Sequence, residues 1–175
     1  MKKKMIVSAF FIIILLIVSI VLYAVFSLSV FYSVSITCGT IAYHLLMRLG
    51  IGYLFDFFMK NRADYSKKWY QCRKWENKLY KKLKVKNWKS HAPTFEPSLF
   101  NPKQHSWEEI AQAMCQAELV HETIVVLSFV PIIPSVLVFG DLPVFIITSL
   151  AAAIIDVTFV IIQRYNRPRI IRHIK

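Results

Sequence analysis

The chain has 175 residues, 56% of them hydrophobic, and a formal net charge of +12. That length allows one domain, and long uncharged runs at this hydrophobicity exclude an ordinary soluble globule and point to an integral membrane protein. Of the 22 basic residues, three are Lys2 to Lys4, thirteen lie between Lys60 and Lys103, and five follow from Arg164 onward. This clustering suits loops facing an anionic cytoplasmic leaflet, not nucleic acid.

Residues 5–26 are uncharged and rich in Ile, Leu, Val and Phe, which is enough for one span. Lys2-Lys3-Lys4 resembles the start of a signal peptide, but the apolar stretch is too long and no A-x-A-like site follows, so an uncleaved helix with its amino terminus inside is expected. The serines between Ser27 and Ser35 predict the outer turn. A second span follows over 34–59, carrying His44, Arg48 and Asp56.

The basic stretch 60–107 holds one periodic segment. Ser66 is placed to cap a helix running to about Val85, with Trp69, Cys72, Glu76, Leu79 and Leu83 forming a stripe at spacings of three or four. Such a helix either lies in the membrane interface or packs on neighbouring protein. Pro93, Pro97 and Pro102 then exclude regular structure, and Ser106 with Glu109 reads as a capping box. A helix from Trp107 enters the membrane near Ala117 and leaves near Phe139, with Pro131 and Pro134 expected to kink or break it. Gly140 to Pro143 makes a turn, and a fourth span covers 144–162. The expected fold is therefore all-α, a bundle of four transmembrane helices plus an interfacial amphipathic helix, with both termini cytoplasmic and residues 163–175 as a tail.

Ionisable groups within spans need a partner or a task. Glu118, His121 and Glu122 share one helix face. A carboxylate holding one imidazole nitrogen leaves the other as a base near neutral pH, so Glu118 and His121 are the candidate catalytic pair. Arg48 is free by helical period to pair with Asp56 or Glu118, and Asp156 to receive His44. A single Glu-x-x-His motif does not make a di-metal bundle site, so no metal is expected. Cys38, Cys72 and Cys115 lack metal-ligand spacing and read as packing thiols. His91 and His105 read as loop residues, and there is no Gly-x-Ser-x-Gly, phosphate-binding loop or Rossmann fingerprint.

Gln163, Arg164, Tyr165, Asn166, Arg167 and Arg169 crowd together around Pro168 where the last span meets the head-group layer. Scattered lysines and arginines suffice for a positive-inside anchor. The guanidinium fork matches phosphate or carboxylate in two-point contact, so the cluster reads as a binding site for an anionic or strongly polar ligand.

Three segments are together similar to the glycosyl-4,4'-diaponeurosporenoate acyltransferase family: Ala117-Glu118-Leu119-Val120-His121, Ile162 through Arg169, and Trp75-Glu76 to Trp88-Lys89 with Val85 between. The resemblance runs from about Lys67 to the carboxyl end. It implies transfer of a fatty acyl group, with acyl-CoA as co-substrate and no other cofactor, to a sugar hydroxyl of a glycosylated carotenoid acid. On that reading His121 and Glu118 activate the hydroxyl. Arg164, Arg167 and Arg169 hold the donor's phosphates or the oxyanion, helped by Gln163 and Asn166. Glu122 stands where an aromatic residue is expected. Two other readings remain at this level: a non-enzymatic membrane protein binding anionic lipid, or a small membrane methyltransferase.

Overall fold

The computed structural model describes residues 2–140 and 142–174, which contain helices and turns but no strand. Four helical stretches are long and apolar enough to cross a membrane: 2–26, 29–59, 107–137 and 142–171. The first two are α1 (Lys2–Phe26) and α2 (Ser29–Met59), a hairpin whose outward faces are mostly exposed apolar side chains, as suits helices surrounded by lipid. The turn between them is only Ser27 and Leu28, shorter than the serine-rich turn expected from sequence. Ser29, Ser33 and Ser35 are instead within α2, and the Ser35 hydroxyl has partners in both helices. Ser35 Oγ donates to the Phe31 carbonyl at 2.8 Å and to Ser19 Oγ, across the hairpin, at 2.9 Å.

The basic segment departs from the expected single helix. A 3₁₀ turn at Lys68–Tyr70 is followed by extended backbone at Gln71 and Arg73. Then come α3 (Lys74–Lys82) and, after Lys84 in the left-handed region (φ 51°), the short α4 (Val85–Trp88). Ser66 caps no helix; its amide and hydroxyl both donate to Asp64 Oδ1 in a tight turn. The cap of α3 is Arg73, whose amide donates to Glu76 Oε1 at 3.2 Å. The apolar stripe is divided accordingly. Glu76 and Tyr80 are buried against protein, whereas Trp69, Trp75, Leu79 and Leu83 stay exposed.

Helix α5 (Trp107–Leu127) starts at the expected capping box, with the Ser106 amide donating to Glu109 Oε2 at 2.8 Å and the Glu109 amide to Ser106 Oγ at 3.2 Å. It stops just before the prolines and continues as α6 (Ile132–Pro134) and a wide π turn over Ser135–Phe139. Pro131 has no N–H to offer the carbonyl four residues back, that of Leu127. Tyr43 of α2 replaces it, its hydroxyl donating to the Leu127 carbonyl at 2.8 Å. Helix α7 (Leu142–Ile171) then runs back beside α5 and passes straight through the arginine-rich segment. At about 45 Å it is longer than a hydrocarbon core is thick. Residues 163–171 are therefore helical, and the basic end of the bundle is built on a rigid rod.

Removing the Tyr43 hydroxyl with Tyr43→Phe leaves the Leu127 carbonyl with only the Val130 amide, at 3.1 Å, and should cost about 0.5–1.5 kcal/mol, the net worth of one hydrogen bond. Thermal unfolding in detergent micelles checks this: the expected result is a lower midpoint, and an unchanged one would show that the Val130 amide suffices.

Candidate functional site

Helical spacing divides the arginine-rich segment into two faces. Arg164 and Arg167, three apart, point into the bundle; Tyr165 and Arg169, four apart, share another side. Arg164 spends its whole fork on protein. Nε and one terminal nitrogen clasp Glu76 at 2.8 and 2.7 Å, the other reaches Glu118 Oε1 at 2.5 Å, and the carbonyls of Trp69 and Gln71 take the remaining protons at 3.0 and 3.2 Å. Arg167, 1% exposed, donates to Glu118 Oε2 at 2.5 Å and twice to the Tyr70 carbonyl, at 2.7 and 3.1 Å. Glu118 is fully buried with one guanidinium on each oxygen. Two cations and two carboxylates thus close a neutral knot, which makes burial of all four tolerable.

The knot also explains the broken interfacial helix. The carbonyls of Trp69, Tyr70 and Gln71, which a continuous helix would need for its own ladder, are turned onto Arg164 and Arg167. Burial by itself would raise the Glu76 pKa. Hydrogen bonds from Arg164, Tyr80 and the Arg73 amide more than offset that and hold it at about 2, below its ordinary 4.5. Burial first, then the bond to Glu76, pushes the Tyr80 phenol well up.

Glu118 therefore does not hold His121, as the sequence had suggested, because both of its oxygens are committed to arginine. The carboxylate on His121 is Asp156 of α7. His121 Nδ1 lies 2.8 Å from Asp156 Oδ1, and Asp156 is 1% exposed. Arg48 of α2 secures the other oxygen, donating to Oδ2 from Nε at 3.1 Å and from a terminal nitrogen at 2.5 Å. The same guanidinium donates to the carbonyls of His44 and Ala152, each at 3.2 Å. The imidazole stacks on Phe159 at 4.7 Å between centroids and 19° between planes, which fixes its orientation. With Nδ1–H donated to Asp156, Nε2 keeps its lone pair. It has no hydrogen-bond partner among the described residues, and the side chain is partly exposed.

His44 does not reach Asp156; both of its ring nitrogens are buried without a partner. Glu122 accepts from Trp69 Nε1 at 3.1 Å, so it ties the basic segment to α5 and leaves His121 alone. Asn166 accepts from Lys89 Nζ at 2.5 Å. The Tyr165 ring has Arg169 at 3.8 Å and Lys89 at 5.0 Å from its centroid, and Arg169 also donates to the Tyr165 carbonyl. Gln163 is half-buried with no side-chain hydrogen bond among the described residues. No group of three or more His, Cys, Asp or Glu among the described residues is arranged to hold a metal ion.

Fold and site define an all-α protein with four helices long and apolar enough to cross a membrane, a neutral ion knot and a histidine–aspartate pair. The chain belongs to the glycosyl-4,4'-diaponeurosporenoate acyltransferase family, whose profile matches residues 66–175. That family's name denotes acyl transfer in carotenoid biosynthesis. No curated protein and no solved structure matches the chain. The matched part contains Glu76, Glu118, His121, Asp156, Arg164 and Arg167, whereas Arg48 lies outside it.

Because the Glu76 pKa is depressed on folding, its contribution is complete above about pH 4.5 and is lost as the pH falls toward 2. Tryptophan fluorescence should report α3 loosening from α7 across that window. Glu76→Gln should remove the step; a variant that titrates like the wild type would show that Glu76 does not hold α3.

Proposed function

We propose that this protein is a membrane acyltransferase that moves a fatty acyl group onto a sugar hydroxyl of a glycosylated carotenoid acid or related glycolipid. His121 is the general base. The observation that carries this reading is the His121–Asp156 pair: an imidazole with one nitrogen bound to a buried carboxylate and the other open at the side of the bundle. Membership of the family supplies the reaction class.

The chemistry follows from the unused nitrogen. Nε2 takes the proton of the sugar hydroxyl as its oxygen bonds to the donor's acyl carbon. The tetrahedral intermediate then collapses, the donor's bond to the acyl carbon breaks, and the imidazolium returns the proton to the departing group. Asp156 is a positioning residue: it sets the tautomer and stabilises the transient imidazolium, and Arg48 holds Asp156 in place. Glu118, Arg164 and Arg167 hold the basic segment against α5 and α7, about two to three helical turns along α7 from Asp156. The excess of lysine and arginine at this end supports placing it, and both termini, on the cytoplasmic face of the cell membrane. The exposed Trp69, Trp75, Leu79 and Leu83 suit contact with the bilayer there.

His121→Ala should abolish transfer while the protein still accumulates in membranes. Asp156→Asn should lower turnover on the order of 10²–10⁴-fold and alter its pH profile, with little change in the donor concentration needed. Radiolabelled acyl-CoA and a glycosylated carotenoid acid, resolved by thin-layer chromatography, read both. Full activity in His121→Ala would rule out the mechanism, and salt-sensitive lipid binding alone would favour a non-enzymatic anionic-lipid binder.

A further inference from the structure

The segment after α3 brings Lys89 back against α7, where it meets Arg169, with the exposed Lys86 nearby. Lys89 Nζ and the Arg169 guanidinium lie 5.0 and 3.8 Å from the centroid of the same Tyr165 ring. Lys89 Nζ is also fixed by Asn166 Oδ1 at 2.5 Å. Burial first, then Arg169, then Lys86 pull the lysine's pKa down, so Lys89 feels both of the other cations. Among the described residues none of the three is in an ion pair with a carboxylate. Arg164 and Arg167, one helix face away, are fully paired.

A cation in the last turn of a helix is ordinary, because it meets the negative end of the dipole. That accounts for Arg169 alone. It does not account for Lys89, delivered from another segment to the same ring with Lys86 beside it, where like charges repel and the aromatic face compensates only partly. Such an arrangement is relieved by an anion, and a multiply charged one relieves it most. The groups also complement each other chemically: Arg169 offers a two-point fork, the lysines mobile point charges. Lys86 and Arg169 remain exposed to an incoming ligand.

We propose that Lys89 and Arg169, gathered on Tyr165, form with the neighbouring Lys86 a binding site for a phosphate ester, the class that includes both nucleotide thioesters and phospholipid head groups. As the donor site of the transferase this rests on the acyl-transfer reading; as a phosphate site it does not. Tyr165 lies about 14 Å along the helix axis from Asp156. A donor held here by its phosphates needs a long arm between phosphate and acyl carbon to reach His121.

Binding without turnover tests the site. The full-length protein in phosphatidylcholine nanodiscs is titrated with coenzyme A by calorimetry. Phosphatidylglycerol retained from mixed-lipid nanodiscs is counted separately by native mass spectrometry. Lys89→Ala/Arg169→Ala and the exposed charge reversal Lys86→Glu are compared with Lys81→Ala/Lys82→Ala, which removes two exposed charges from α3. A loss of coenzyme A affinity of at least about tenfold in the first two variants only establishes a nucleotide phosphate site. Loss of phosphatidylglycerol retention in those variants, with coenzyme A unaffected, establishes a head-group site. Equal losses in the α3 variant, or no loss in any, overturns the proposal. An active-site failure at His121 would leave all these titrations unchanged, so the two readings fail separately.

Discussion

The structure depends on the burial of one carboxylate between two guanidiniums. Glu118 has no exposed surface, and its two oxygens take Arg164 and Arg167 at 2.5 Å each. Removing either arginine would leave charge uncompensated in an apolar interior, a loss of about 3–5 kcal/mol for a broken buried pair. The arrangement is tolerable only as a set: Glu76 balances the second cation, and peptide carbonyls absorb the remaining donors. This knot joins α5, α7 and the basic segment, three pieces that are distant in sequence.

Its second effect is to divide labour among acidic residues. Glu118 is one turn from His121 on the same helix, but it is fully occupied. The imidazole is left to Asp156 across the α5–α7 interface. Asp156 is prevented from drifting toward the knot because Arg48 of α2 holds its other oxygen. The ion knot and the histidine pair thus use different carboxylates, Glu118 on α5 and Asp156 on α7. The same division runs through the arginine-rich segment: one face is locked inward, and the face bearing Tyr165 and Arg169 meets Lys89.

Much of the fold was legible in the sequence. Four long apolar runs, the Ser106–Glu109 capping box and the prolines at 131 and 134 each act locally, and the helices follow them. The basic segment was not legible in the same way. Its stripe from Trp69 to Leu83 has helical period, yet Arg164 and Arg167 capture the carbonyls of residues 69–71 and break the helix, a contact across more than ninety positions. His121 stood out in the sequence as an ionisable group at membrane depth. Its partner was not, since Glu118 at spacing three is the nearer choice in sequence and only packing shows its oxygens to be taken. Asp156 carried a usable signal: it is the single carboxylate of the last helix, and such a group requires a partner. Lys89 looked like any other lysine of the basic loop, because nothing local announces that the chain turns it back onto Tyr165.

The central claim is that Asp156 fixes His121 with its proton on Nδ1 and its lone pair on Nε2. Nitrogen-15 NMR of histidine-labelled protein, with His121 assigned by its loss in His121→Ala, measures this directly. The account predicts a neutral His121 with Nδ1 protonated in the wild type, and a mixed or reversed tautomer in Asp156→Asn. A wild-type His121 protonated at Nε2, unchanged by Asp156→Asn, would contradict it.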